Sequence, residues 1–231
     1  MSGTTLVQLL LFSTCTAVLL IAYWRVRVKA EAKVTAEPIP TLDGSANDFL
    51  EAISEETMGI ESIEGILAYA IRKICVEFGW DVGHAYLAVT NGPGVVHLKP
   101  SRLWYFEPQH ELAMKAFKQT TMAFNLAEGI GLPGKAYASK ACIWKENLQL
   151  HQGIIFLRAK AVPNLNLRGA LAIPMQGKNG VEAVLEFFCT DSRPEHAAEL
   201  TVLKKAKTLL ERAAERLRVI EELNTRAEFL E

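Results

Sequence analysis

The sequence predicts an α+β fold organised around an antiparallel sheet, and three stretches carry that expectation. The first is a β-hairpin, Arg168 to Phe188. Its arms are Arg168-Gly169-Ala170-Leu171-Ala172-Ile173-Pro174-Met175 and Val181-Glu182-Ala183-Val184-Leu185-Glu186-Phe187-Phe188. Between them, Gln176-Gly177-Lys178-Asn179-Gly180 offers glycines for the positive-φ positions of a hairpin turn. Both arms are too apolar for strands wetted on one face, which places them near the centre of a sheet covered on both sides. The second stretch is Ser62 to Phe78, with Ile63, Ile66, Leu67, Ala70, Ile71, Ile74 and Phe78 along one helical face. The third is Glu195 to Glu231, a long helical pattern without interior glycine or proline.

The remaining elements follow in chain order. From Ala46 the pattern is helical, with Phe49, Leu50 and Ile53 on one side, and it breaks near Met58-Gly59. Gly79 ends the Ser62–Phe78 helix. His84 to Val89 alternates as a strand, Thr90 to Gly94 is a turn, and Val95 to Leu98 is the return strand. Leu103 to Phe106 is a third short strand, and Glu111 to Met122 is helical. Gly129 to Gly134 carries glycines and a proline that argue against helix and regular strand, and a short helix, Lys135 to Ser139, follows. Ala141 to Trp144 is a fourth strand, and Gln152 to Val162 leads into the hairpin as loop or helix.

Composition bounds the function. A chain of 231 residues, 50% hydrophobic and 22% charged, supports one core plus accessory segments. The formal net charge of −1, with no long basic run, argues against a nucleic-acid-binding surface. Cys15, Cys75, Cys142 and Cys189 fall in no metal-ligand spacing and read as buried free thiols in a reducing compartment.

Residues 1–24 carry no charged side chain, and Leu6 to Trp24 is long enough as a helix to cross a hydrocarbon core of roughly 30 Å. Tyr23 and Trp24 suit an interfacial belt, and Arg25, Arg27 and Lys29 follow directly. The expectation is an uncleaved single-pass anchor with the N-terminus outside and the bulk of the chain cytoplasmic. A cleaved signal peptide is the competing reading, but it normally has a basic stretch before the apolar one. Residues 25–45, with Pro38, Pro40 and Gly44, read as a linker.

Several of these motifs, in this order, resemble a GAF domain. They are the helix, the antiparallel meander, the Gly131-Leu132-Pro133-Gly134 loop ahead of Cys142-Ile143-Trp144, and the hairpin ending Leu185-Glu186-Phe187-Phe188. Gly79-Trp80-Asp81-Val82-Gly83-His84-Ala85 and Ser101-Arg102-Leu103-Trp104-Tyr105 are similar to the early strands of the bacterial sensor kinase and diguanylate cyclase subtype. The resemblance covers about Ala46 to Asp191. It implies an antiparallel sheet of about six strands, with terminal helices on one face and a ligand-type pocket on the other. It also implies a bacterial inner (cytoplasmic) membrane for the anchor. In that family the C-terminal coil normally passes a signal to a kinase, cyclase or phosphodiesterase domain. Here the sequence reaches Glu231 within the coil; if that is the whole gene product, the expected output is another polypeptide.

Leu203, Ala206, Leu210, Ala213, Leu217, Ile220, Asn224 and Ala227 are spaced as a heptad seam with a polar residue at an a-type position. Up to about Leu210 the helix is expected to lie partly on the sheet; beyond Leu217 it is expected to pair with a second copy, making a homo-oligomer.

The candidate ligand-binding residues are Trp104, Phe124, Trp144, Arg168 and Glu186. Symmetric pairing about Lys178 places Arg168 diagonal to Glu186, on a face shared with Glu182. That pair either holds a polar ligand or is a cross-strand ion pair. Trp104, Phe106, Phe124, Trp144 and Phe156 either line an aromatic cavity for a planar ligand or belong to the core. His97 and His110 have no partner at a metal-ligand spacing, so no metal and no particular cofactor is expected. Cys142 and Cys189 lack the flanking residues that bilin attachment or sulfoxide reduction needs in relatives. No phosphate loop, nucleophile elbow, kinase signature or metalloprotease helix is present. The expectation is therefore a regulatory module that is not an enzyme, with an assembly subunit as the alternative.

Overall fold

The computed structural model describes residues 42–90, 96–150, 158 and 166–228. The anchor expected at Leu6–Trp24, most of the expected linker and most of the stretch before the hairpin lie outside the described residues. Among the described residues, no helix is long and apolar enough to cross a membrane.

Helix α1, Leu42–Glu56, begins inside the expected linker. Helix α2, Ile63–Phe78, is capped by Ser62, whose Oγ accepts a hydrogen bond from the Gly65 N–H, and Gly79 closes it at φ 66°. A six-stranded antiparallel sheet follows, in the order β3-β2-β1-β6-β5-β4. Its strands are β1 Val82–Thr90, β2 Val96–Phe106, β3 Leu126–Ala127, β4 Ile143–Lys145, β5 Gly169–Gly177 and β6 Gly180–Cys189. The two return strands expected at 95–98 and 103–106 are one strand, β2. It keeps its pairing past Pro100 through a register shift between His84 and Tyr86 of β1. The short β3 on the sheet edge restores the count.

The β5–β6 hairpin lies one strand in from β4, covered on both faces as its composition requires. Its turn is Lys178-Asn179, between the paired Gly177 and Gly180. Gln176 pairs with Val181 and Met175 with Ala183, so Glu182 is an extra residue on β6. That bulge reverses the side-chain alternation. Glu182 therefore does not share a face with Glu186, as the alternation alone suggests; it forms an ion pair with Arg218 of the C-terminal helix.

Each face of the sheet has its own core. Leu171, Ile173, Ala183, Leu185 and Phe187 pack against α1, α2 and α5, the last of these spanning Ala197–Glu228. Tyr86, Ala170, Ala172, Val184 and Phe188 pack on the other face against α3, Glu111–Met122, and α4, Gly131–Ser139. The terminal helices thus share one face, and among the described residues the short helices α3 and α4 cover the other. Helix α4 begins within the glycine-proline stretch rather than after it. Pro133 sits in the first turn, where the missing N–H breaks no helical bond. Gly131, at φ 70°, leads in, and Gly134 packs so tightly that a Cβ would lie 2.5 Å from the Ala127 carbonyl oxygen. Gly134→Ala is expected to cost about 1–3 kcal/mol in urea denaturation, since backbone rather than a flexible side chain must yield.

Helix α5 has 32 residues, about 48 Å at the helical rise. Leu203, Ala206, Leu210 and Ala213 of the heptad seam are buried in the domain core. Farther along, Val219, Ile220 and Leu223 are 45–58% exposed. The connection into α5 is tied down by Arg193. Its guanidinium donates to the Phe78 and Gly79 carbonyls and to Glu199, and lies 4.2 Å from the Trp80 ring centroid. Its own carbonyl accepts from Trp144 Nε1 at 2.7 Å.

Candidate functional site

On the α3–α4 face, β1 and β6 bring His84 directly opposite Glu186, and both are fully buried. Arg158 completes the group. Its Nη1 and Nη2 donate to the two Glu186 carboxylate oxygens, each at 2.6 Å, and Nη1 also donates to Thr121 Oγ1 of α3. The guanidinium is surrounded by the rings of Tyr86, Phe117 and Phe188 at 5.0–5.6 Å. This is the bidentate, aromatic-flanked geometry that suits arginine rather than lysine. Burial alone raises the Glu186 carboxyl, but the Arg158 charge and the hydrogen bonds from His84 and Arg158 override it, holding the group below its ordinary value.

The third member is placed between two acceptors. His84 Nδ1 lies 3.1 Å from Glu186 Oε1, and Nε2 lies 3.2 Å from the Ser101 carbonyl oxygen. Burial pushes the ring's pKa down and Arg158 adds to that, against the pull of Glu186, so the ring is neutral. A neutral imidazole donates once. The Nδ1–H tautomer gives the stronger, charge-assisted bond and leaves Nε2 facing a carbonyl. Trp104 stacks on the ring at a centroid distance of 3.9 Å. The Tyr86 hydroxyl and Trp104 Nε1 are buried without hydrogen-bond partners among the described residues.

The signs for acid stability agree. Glu186 contributes stability above the ordinary 4.5 of a carboxyl, lost as pH falls through its lower folded value. His84 stays neutral in the fold while the unfolded ring takes up a proton below its ordinary 6.5, so this too weakens the native state on acidification. The melting temperature should fall from pH 7 to pH 5, and His84→Phe should flatten that limb. A slope unchanged by the substitution would assign it to other groups.

Of the five expected site residues, the structure brings Trp104 and Glu186 together. Arg168 is not the partner of Glu186. The two-residue turn and the bulge shift the pairing by two residues from symmetry about Lys178, so Ala172 lies opposite Glu186 and Arg168 falls four residues farther along. Trp144 is on the helical face, because it pairs with Leu171 and packs edge-on against Trp80. Phe124 follows α3 on the surface, 44% exposed. Phe156 lies outside the described residues. Sequence reasoning missed Arg158 and His84. The available signal was a single charge after the apolar run Ile154-Ile155-Phe156-Leu157, and a histidine within a buried strand pattern.

Burial raises all three described thiols, Cys189 to about 11 and Cys75 and Cys142 in the same direction, so none is activated. His110 Nε2 lies 3.7 Å from Asp81 Oδ1. Among the described residues, no three His, Cys, Asp or Glu side chains are grouped to hold a metal.

A six-stranded antiparallel sheet with terminal helices on one face and short helices over a polar centre on the other is the GAF fold, and comparison with solved structures bears this out. No family model and no curated protein sequence matches the chain. The GAF domain of an Acinetobacter phosphoenolpyruvate-protein phosphotransferase superposes with a TM-score of 0.54 at 17% identity, over 74% of this chain and 93% of that one. The corresponding domain from Coxiella burnetii gives 0.54 at 16% identity, over 80% and 97%. Free methionine-R-sulfoxide reductase from Neisseria meningitidis, solved with its substrate, gives 0.56 at 16% identity, over 76% and 91%. This last likeness corrects one expectation. The absence of catalytic motifs led to a reading of the chain as not an enzyme, yet enzymes are among the proteins that share its fold.

Proposed function

We propose that this chain is a membrane-anchored regulatory module, in which binding on the α3–α4 face is passed through α5 to a separate output protein. One observation carries the reading. The β5–β6 hairpin holds Glu186 on one face and packs Leu171, Leu185 and Phe187 toward α5 on the other, and α5 then continues beyond its buried turns with exposed apolar residues. A helix with that profile suits self-association, and Asn224 on its exposed part suits a register-setting position. Residues 1–24 supply the anchor, with the domain on the cytoplasmic side of the inner membrane.

The test is native mass spectrometry of the full chain released from a non-ionic detergent. A dimer is expected, and Val219→Glu/Ile220→Glu/Leu223→Glu should convert it to a monomer with unchanged near-UV circular dichroism. A dimer that survives this triple substitution would sink the coil. A second reading, an assembly subunit, is favoured by the way Phe117 and Arg158 fill the interior of the α3–α4 face.

A further inference from the structure

Away from the Glu186 centre, the tip of the β5–β6 hairpin meets α5 through a line of charged contacts. Glu211 of α5 accepts a hydrogen bond from the Gln176 N–H and pairs with Lys207 at 2.6 Å. Farther along the helix Arg218 pairs with Glu182, whose carboxylate also accepts the Lys178 N–H at 3.1 Å. At the outer end Lys178 Nζ lies 3.5 Å from Glu222. Glu211, Glu215, Arg218 and Glu222 fall on one stripe of the helix, about 16 Å from first to last. The exposed Val219, Ile220 and Leu223 lie about a third of a turn around from it.

Two features of the hairpin serve this contact. The bulge at Glu182 aims that side chain at α5, and re-aiming a side chain is a common use of a bulge. Gly177 leaves the room, because a Cβ there would overlap the Glu182 carboxyl group. Exposure is graded along the stripe. Side chains of the Lys207–Glu211 pair are 16% and 18% exposed, against 65% and 46% for Lys178 and Glu222. Salt therefore reaches the outer contacts first, and such surface pairs are weak enough to open. We propose that the hairpin tip is a charge-operated latch on α5. Closed, it fixes the direction in which Val219, Ile220 and Leu223 face; opened by competing ions, it leaves that part of α5 to be ordered on association, which weakens the dimer. The inference rests on the self-association proposed above and supplies its regulation.

The test uses the full chain in non-ionic detergent, with NMR exchange read at the Gln176 amide, which is bonded to Glu211. At low salt Glu182→Gln or Arg218→Gln should speed that exchange about two- to five-fold, and the double variant no further than either alone. Gly177→Ala should act in the same direction with every charge kept. Added sodium chloride should speed exchange in the parent but not in the double variant. Glu215 pairs with Arg218 within the helix, so Glu215→Gln should leave the amide as it is. Exchange unmoved by the substitutions, additive losses in the double variant, a salt response that survives it, or an equal effect of Glu215→Gln would overturn the latch. Sedimentation of the same variants should show the dimer dissociating more readily by a similar factor. Altered exchange with an unaltered dimer would overturn the control of association. A chain that is monomeric throughout would sink the self-association, while the exchange at Gln176 still decides the latch.

Discussion

Arg158→Met is expected to destabilise the domain by about 3–5 kcal/mol, the usual cost of stranding one member of a buried ion pair. The carboxylate it leaves, Glu186, is fully buried, and its other charged-form partner is a neutral histidine that donates one bond. Glu186→Gln should cost a similar amount, because the guanidinium loses the carboxylate that it grips with two hydrogen bonds inside the core. The double variant Arg158→Met/Glu186→Leu should recover most of the loss, since a well-packed apolar pair often replaces a buried ionic one at little cost. Urea denaturation of the four species closes the cycle. Strict additivity of the two single effects would mean that the contact is not what makes either residue important.

Leu210→Glu is expected to be as damaging, at about 4 kcal/mol or more, because it places a carboxylate in the apolar core with the buried Leu203, Ala206 and Ala213. Leu223→Glu, thirteen residues later on the same helix, should leave monomer stability within about 0.5 kcal/mol of the parent, as exposed substitutions generally do. The heptad spacing alone treats both leucines as one continuous apolar face. The structure divides that face between the domain core and the protruding turns. Thermal melts at low protein concentration separate the two roles, and equal losses at both positions would contradict that division.

That contrast shows where the sequence was legible and where it was not. Periodicity identified the helices at 63–78 and 197–228 and the hairpin, because burial on one or both faces leaves a repeating apolar pattern. It does not report which neighbour does the burying, so core and coil positions on α5 read alike. Register was illegible for a different reason. One extra residue, Glu182, reverses the alternation of β6, and no local composition marks it. The pairing of Arg168 with Glu186 failed on that bulge together with the two-residue turn, each of which shifts the register by one. Arg158 was invisible to pattern altogether, since it reaches the sheet from a stretch without helical or strand periodicity, and only the charge in an apolar run marked it. Trp104 was accessible because three aromatic residues in a row on a strand force at least one of them inward.

The Arg193 cluster has a mechanical consequence. The connection between β6 and α5 spans only Thr190 to His196, and one guanidinium stitches it to the end of α2, to Trp80 and to the first turn of α5. A joint held at these points is expected to yield less to torque than the bare connection, and Arg193→Ala should loosen the hold of the sheet on α5, turning a clamp into a swivel.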